Sequence, residues 1–291
     1  MYKIVMLGVE NSHANNFLKL ISEGKYPEIE VIGVYSDEQP AVQKLNETYG
    51  VKIMQSYDEA VGQVDGVVIT ARHGDNHYKY AKPYLPSGVP MFIDKPITCC
   101  GKEAVEFMRE AKKYGVRLCG GSVCATYPET VQLAEVVKNQ SVGAIVGGHV
   151  VAPIQMNSEY GGFYFYSQHL VQIMTTIFGN DMKAVCAGTK ADNMGFIAKY
   201  DNYDVSGTFV AMKKYYYTAS VYGNAGYETK TLVSPPDAFA SEMNDIQDLL
   251  KGEPMKQSYD EFIRPVFILN ALMKSVETGT WAEVNPIPVE E

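Results

Sequence analysis

The 291-residue sequence holds one tryptophan, five cysteines and fewer basic than acidic residues, 25 Lys+Arg against 34 Asp+Glu. The net charge of −9, with no cluster of Lys and Arg, excludes the electrostatic footprint of a nucleic-acid-binding protein. No apolar run approaches the roughly 20 residues that span a bilayer, so no membrane partner is expected. The opening stretch, Met1 to Gly8, has a short apolar run that Glu10 and Asn11 cut off. It lacks the basic start, longer apolar segment and cleavage site of a secretory signal. Cys99, Cys100, Cys119, Cys124 and Cys186 form an odd set without a CxxC pair or regular spacing. Such a set fits neither a disulfide framework nor a zinc motif, and points to reduced thiols in a cytoplasmic protein. What is present, 46% hydrophobic and 20% charged residues, is the composition of a globular protein of about two domains.

The first half alternates strand-like and helical segments. Ile4 to Leu7 is an apolar run ending at Gly8, and Ser12 is placed to cap a helix carrying Phe17, Leu18 and Ile21. Strand-like runs recur at Val31–Tyr35, Val67–Ile69, Met91–Ile93 and Val116–Cys119. The intervening helices cover about Pro40–Tyr49, the stretch through Tyr78 and Ala81, and Lys102–Tyr114. Strands apolar on both faces that alternate with helices predict a doubly wound parallel sheet, with ligands beyond the strands' carboxyl ends. Four loops lie there: Gly8 to His13, Ser36-Asp37, Thr70 to His77, and Asp94-Lys95-Pro96.

From about Gly121 the pattern changes. Tyr127–Lys138 reads as a helix, and six strand-like runs follow between Ile145 and Val233, separated by turn signals such as Gly223-Asn224. Helices are expected near His169–Phe178, Ala240–Leu250 and Tyr259–Glu277. The expected architecture is α/β: a Rossmann-type domain over residues 1–120, then an α+β domain over 121–291 with a large open, mostly antiparallel sheet. The last helix is in a position to pack back on the first domain.

The segment Phe92-Ile93-Asp94-Lys95-Pro96 resembles the Glu-Lys-Pro strand end of the Gfo/Idh/MocA oxidoreductases, the glucose–fructose oxidoreductase and inositol dehydrogenase family. The resemblance runs over nearly the whole chain. It takes in Val34-Tyr35-Ser36-Asp37, Ile69-Thr70 leading to His77, Tyr127-Pro128, Gly161-Gly162 before His169, and the ending Ser275 to Trp281. It implies a nicotinamide cofactor held by the first domain, and a second domain that serves substrate binding and oligomer contacts, in a homodimer or homotetramer. The implied chemistry moves hydride between nicotinamide and a hydroxyl or carbonyl of a sugar, polyol or cyclitol, without a metal.

Carried over residue by residue, the resemblance makes Lys95 the general acid/base and His169 the second catalytic group. A lysine partly desolvated at a strand end has its pKa lowered towards working pH, which suits proton transfer. The implied cofactor contacts are Gly8, Val9, Asn11, Ser12 and His13, then Ser36 and Asp37, then Thr70, Ala71, Arg72 and His77, and finally Asp94 and Lys95. The implied substrate contacts are Lys95, Tyr127, Tyr164, Tyr166 and His169. The sequence departs from the family pattern in several places. Asp94 replaces a Glu, Phe165 and Gln172 replace Asp, and Glu10 and His13 stand where two of three glycines would align. Asp37 at the ribose favours NAD over NADP, and Ser36 there, with no Arg beside it, also leaves a 2′-phosphate without a site.

Two other readings stay open. A non-catalytic ligand- or nucleotide-sensing relative would keep the fold and lose turnover. A metal-dependent hydrolase would use His73, Asp75 and His77, which alternate along an extended loop and supply nitrogen and oxygen ligands.

Overall fold

Five apolar runs build the first sheet: β1 (Tyr2–Leu7), β2 (Ile29–Tyr35), β3 (Gly66–Ile69), β4 (Met91–Asp94) and β5 (Leu118–Gly121). All pairings are parallel, in the order β2-β1-β3-β4-β5. Every residue of β3 and β4 is buried, as a parallel sheet covered on both faces requires. A further edge segment is reduced to one bridge, where Ile53 pairs in parallel with Val34 beyond β2. The crossover helices of this computed structural model, which describes residues 1–289, are α1 (Ser12–Ser22), α2 (Gln39–Tyr49), α3 (Asp75–Ala81) and α4 (Gly101–Lys113). The cap of α1 is Asn11 and not Ser12: its side chain accepts the His13 N–H at 2.7 Å, and Ser12 is already the first helical residue.

The second half contains α5 (Pro128–Lys138), β6 (Ile145–Pro153), α6 (Tyr164–Phe178), β7 (Ala184–Lys190), β8 (Asn193–Lys199), β9 (Asp204–Val210), β10 (Tyr217–Gly223) and β11 (Gly226–Leu232). It ends with α7 (Ala238–Leu250), α8 (Tyr259–Thr278) and β12 (Ala282–Glu283). The seven strands run β11-β10-β6-β9-β8-β7-β12, antiparallel except for the β6–β9 pair. Strict alternation of buried and exposed residues along β8 marks a sheet packed on one face only. Helices α5, α6 and α8 contact strands of this sheet. Val146, Ile197, Tyr222 and Tyr227 are exposed.

Two helices of the second half reach back to the first half. Met243, Ile246 and Leu250 of α7 share an apolar cluster with Ile4, Met6, Val68 and Phe92. So α7 covers the parallel sheet, although it falls in the 121–291 stretch assigned from the sequence to the second domain. In α8, Asn270 accepts the Gly101 N–H at 2.9 Å and donates to Cys99 O at 3.0 Å. Helix α6 begins five residues earlier than its periodicity suggested, taking in Tyr164 and Tyr166. Among the described residues, no helix is long and apolar enough to cross a membrane.

Candidate active site

The carboxyl ends of β1 and β3 meet where the strand order reverses, the place at which open parallel sheets take ligands. A cavity of about 470 Å³ opens there. Asn11, Ser12, His13, Arg72 and Lys95 line it from the first domain, and Tyr127, Tyr166 and His169 from the second. Several of the residues expected at the site are thereby brought together across the two halves.

Lys95 follows β4 directly and is only 6% exposed. Its Nζ donates to the Phe165 carbonyl at 3.2 Å and sits 4.6 Å and 5.2 Å from the ring centres of Phe165 and Tyr166. The two rings and the carbonyl solvate the ammonium weakly compared with water. Burial therefore pushes the Lys95 pKa below the ordinary lysine value, against the opposing pull of Asp94.

Asp94 is fully buried beneath that lysine. One oxygen accepts the Lys95 backbone N–H at 2.7 Å, and the other accepts Asn11 Nδ2 at 2.7 Å and lies 3.3 Å from His13 Nδ1. His13 Nε2 stands 3.3 Å from Glu242 Oε2 on α7, with the Phe239 ring edge-on at 5.0 Å. Burial alone would lower the His13 pKa, but the flanking carboxylates of Asp94 and Glu242 outweigh it and raise the value. Burial also raises the Glu242 carboxyl.

The turn after β1 explains how a loop with one of three expected glycines still folds tightly. Gly8 takes φ +68°, and a Cβ there would come within 2.5 Å of the Ala71 backbone. Thr70 Oγ1 donates to the Gly8 carbonyl at 3.0 Å, locking the two strand ends together. Val9 is buried, and Glu10 directs its carboxylate sideways, accepting Ser36 Oγ at 2.6 Å and the Arg72 N–H at 2.9 Å.

His169 is buried opposite Lys95. Its Nδ1 lies 2.6 Å from Ser122 Oγ and 3.6 Å from Cys124 Sγ. Burial, together with the nearby positive charge of Lys95, holds its pKa well below the ordinary histidine value, so the ring is neutral. Gln172, in place of a carboxylate, accepts the Ser122 N–H at 2.6 Å and Gln168 Nε2 at 2.7 Å. Arg72 closes the outer wall, with Nη1 donating to Tyr160 Oη at 2.7 Å and the guanidinium 4.9 Å from that ring's centre.

Three expected residues are turned elsewhere. Asp37 gives one oxygen to Tyr35 Oη at 2.6 Å and the other to Tyr80 Oη at 2.9 Å, which lower its pKa and leave it outside the cavity lining. His77 is fully buried, its Nε2 2.9 Å from the Ala71 carbonyl and its Nδ1 3.3 Å from that of Ile97. It braces the loop beneath Arg72 and cannot join His73 and Asp75 around a metal, so the hydrolase set does not assemble. The Tyr164 hydroxyl meets Asn270 Nδ2 at 3.1 Å, and Tyr164 does not line the cavity.

Ser122, Cys124, Tyr160 and Glu242 escaped the sequence reading. The first two follow β5, a strand end open to the same rule as the other four loops. Glu242 carried a quieter signal, an acidic residue three after Phe239 and four before Ile246, on the buried face of its helix.

Residues 2–122 match the model of the oxidoreductase family, NAD-binding Rossmann fold, Gfo/Idh/MocA. The match covers the first of the two sheets, β1 to β5, and marks it as a Rossmann domain of the NAD-binding type. No curated protein sequence matches the chain significantly. Solved structures match along almost its entire length. GenD2 from gentamicin A biosynthesis, in complex with NAD, is 16% identical, with 98% of this chain and 96% of that one covered at a TM-score of 0.84. Myo-inositol 2-dehydrogenase from Lactobacillus plantarum is 14% identical, with 98% and 99% covered at 0.84. Scyllo-inositol dehydrogenase from Lactobacillus casei, with bound NAD(H) and scyllo-inositol, is 14% identical, with 98% and 99% covered at 0.83. At these identities the likeness is one of fold.

The residues present fit a nicotinamide dinucleotide. The Asn11-capped start of α1 faces the cavity, a helix end suited to phosphate. The Glu10 charge that would oppose a phosphate is drawn off by Ser36 and the Arg72 N–H.

Proposed function

We propose that the protein is an NAD-dependent dehydrogenase of a small polyhydroxylated substrate, a sugar, polyol or cyclitol, with Lys95 as its general acid/base. The observation that carries this reading is the placement of the Lys95 Nζ. It is buried in the inter-domain cavity, lowered in pKa, and set across from a neutral His169. Bound NAD supplies the hydride acceptor for alcohol oxidation. Lys95 in its neutral form takes the hydroxyl proton as the C–H bond breaks, and returns one in the reverse direction.

His169 orients the substrate and does not relay its proton. Ser122 Oγ accepts the Cys124 N–H at 3.2 Å, and we assign it as the donor to His169 Nδ1. The imidazole then carries its hydrogen on Nε2, as a donor to a substrate oxygen. Tyr127 and Tyr166 offer ring surface with a polar tip, a combination suited to a ring of hydroxyl-bearing carbons. Arg72, paired with Tyr160, shields the cavity from bulk water.

Asp37 is engaged by Tyr35 and Tyr80, whereas Glu10 accepts from Ser36 at the end of β2, where the ribose is expected. We assign cofactor choice to Glu10, with NAD favoured over NADP. One observation favours the sensing alternative: Lys95 meets the Phe165 carbonyl where the family places an Asp. Steady-state turnover with NAD across a panel of inositols, sugars and linear polyols decides between the two. A substrate that reduces NAD supports the dehydrogenase, and NAD binding with no turnover on any panel member overturns it.

A further inference from the structure

The sequence suggested a metal set of His73, Asp75 and His77, which the fold takes apart. It puts Cys99 in the vacated place. His73, Asp75 and Cys99 each present one donor atom, and the three atoms lie within 4.8 Å of one another. His73 lies in the loop after β3, Asp75 opens α3 and Cys99 lies in the loop after β4, so no spacing along the chain reveals them.

A glycine borders the cluster. Gly161, at φ +97°, lies against the cluster from the second domain, and a Cβ there would stand 3.4 Å from both Cys99 Sγ and His73 Nε2. Gly161 therefore borders both donors at van der Waals distance. Asp75 is held at the rim, with Oδ2 3.8 Å from His73 Nδ1 and its N–H 3.3 Å from the same nitrogen. Asp75 is exposed and the other two are half-buried, so an ion can enter and a water can complete four-coordination.

We propose that His73, Asp75 and Cys99 form a binding site for one zinc-type divalent cation, separate from the dehydrogenase centre. The donor set sorts the candidates. A thiolate with an imidazole and a carboxylate suits zinc, whereas magnesium and calcium take all-oxygen shells. On binding, the Cys99 thiol loses its proton to solvent and an S–metal bond forms, with no change of oxidation state. The ion then ties the loop that carries Arg72 to the start of α4, beneath Gly161. It requires no step of the proposed oxidation.

The test uses the full-length, tag-free protein, stripped with a chelator and then titrated with zinc chloride by calorimetry. One ion per chain is expected, together with a raised melting temperature, and no uptake of magnesium or calcium. Cobalt(II) in place of zinc should show the visible bands of a four-coordinate site and a near-ultraviolet thiolate charge-transfer band. His73→Ala and Cys99→Ala should each weaken zinc at least roughly tenfold, the least that loss of even an outer partner costs. Cys99→Ala should also abolish the charge-transfer band, and Cys100→Ala should leave both readouts unchanged. Should Cys99→Ala fold poorly, His73→Ala and Asp75→Asn, at the accessible rim, give the same reading. No zinc uptake, or wild-type affinity in His73→Ala, overturns the site. The latter would leave only a surface thiol holding the ion.

Discussion

Glu10 Oε2 accepts a 2.6 Å hydrogen bond from Ser36 Oγ, joining the turn after β1 to the end of β2. A glutamate where a dinucleotide loop normally has glycine reads as repulsive to pyrophosphate. This bond, with the Arg72 N–H on Oε1, turns the charge sideways to the end of β2, where we propose that the ribose lies. There a carboxylate accepts from the ribose hydroxyls and repels a 2′-phosphate.

NADH is therefore expected to bind more tightly than NADPH in a direct fluorescence titration. Glu10→Gln should narrow the gap by about tenfold, equivalent to about 1.4 kcal/mol. Tighter NADPH binding by the wild type would remove Glu10 from this role.

The Asp94–His13–Glu242 chain makes stability depend on pH. The folded-state pKa of His13 is raised. The stabilisation from its charge is thus fully present below about 6.5 and is lost as pH rises through the folded value. Glu242→Gln removes one of the two carboxylates that hold the charge. The melting-temperature advantage of wild type over this variant should accordingly shrink from mildly acidic to alkaline pH. A difference that stays constant across that range would show that His13 carries no charge in the folded protein.

Association is the next expectation. Val146, Ile197, Tyr222 and Tyr227 are exposed on strands of the seven-stranded sheet, Tyr227 at 71%. Apolar and tyrosine surface of this kind is suited to burial against a copy of itself. Sedimentation at micromolar concentration should give a dimer or tetramer, and Ile197→Glu should shift it towards monomer. A wild-type monomer would count against the self-contact.

Legibility in the sequence divided along a physical line. The parallel sheet was readable because β3 and β4 are short apolar runs at the spacing of strand–helix units, and strand polarity alone directs ligands to their ends. The order of motifs singled out Lys95 and His169, and both line the cavity. Side-chain direction was not. Whether Asp37 faces a ribose or Tyr80 depends on the Tyr80 side chain reaching Tyr35 at the end of β2, a long-range contact with no local signal. His77 likewise looks like a ligand in its loop and becomes a brace only because two carbonyls, from Ala71 and Ile97, meet its ring. Helix α6 began early because Tyr164 and Tyr166 blur the apolar period that marks its later turns.

The final prediction concerns the proton. Lys95→Met keeps most of the side-chain volume and removes the nitrogen that lies over Phe165 and Tyr166. The variant should fold and bind NAD, since the capped start of α1 and the Asp94 hydrogen bonds to Asn11 and the residue-95 backbone do not use that nitrogen. If Lys95 moves the hydroxyl proton, kcat on an identified substrate should fall roughly 10²–10⁴-fold, the usual worth of a positioned acid–base group. His169→Asn should cost less, because a neutral imidazole fixed by Ser122 orients substrate without exchanging its proton. The pH profile gives an independent check with a definite sign. Oxidation needs the neutral amine, so kcat/KM should rise with pH through the lowered Lys95 pKa and level off above it. That limb should vanish in Lys95→Met and persist in His169→Asn. If Lys95→Met instead raises KM and leaves kcat unchanged, the lysine only binds substrate, and the general-base assignment fails while the fold stands.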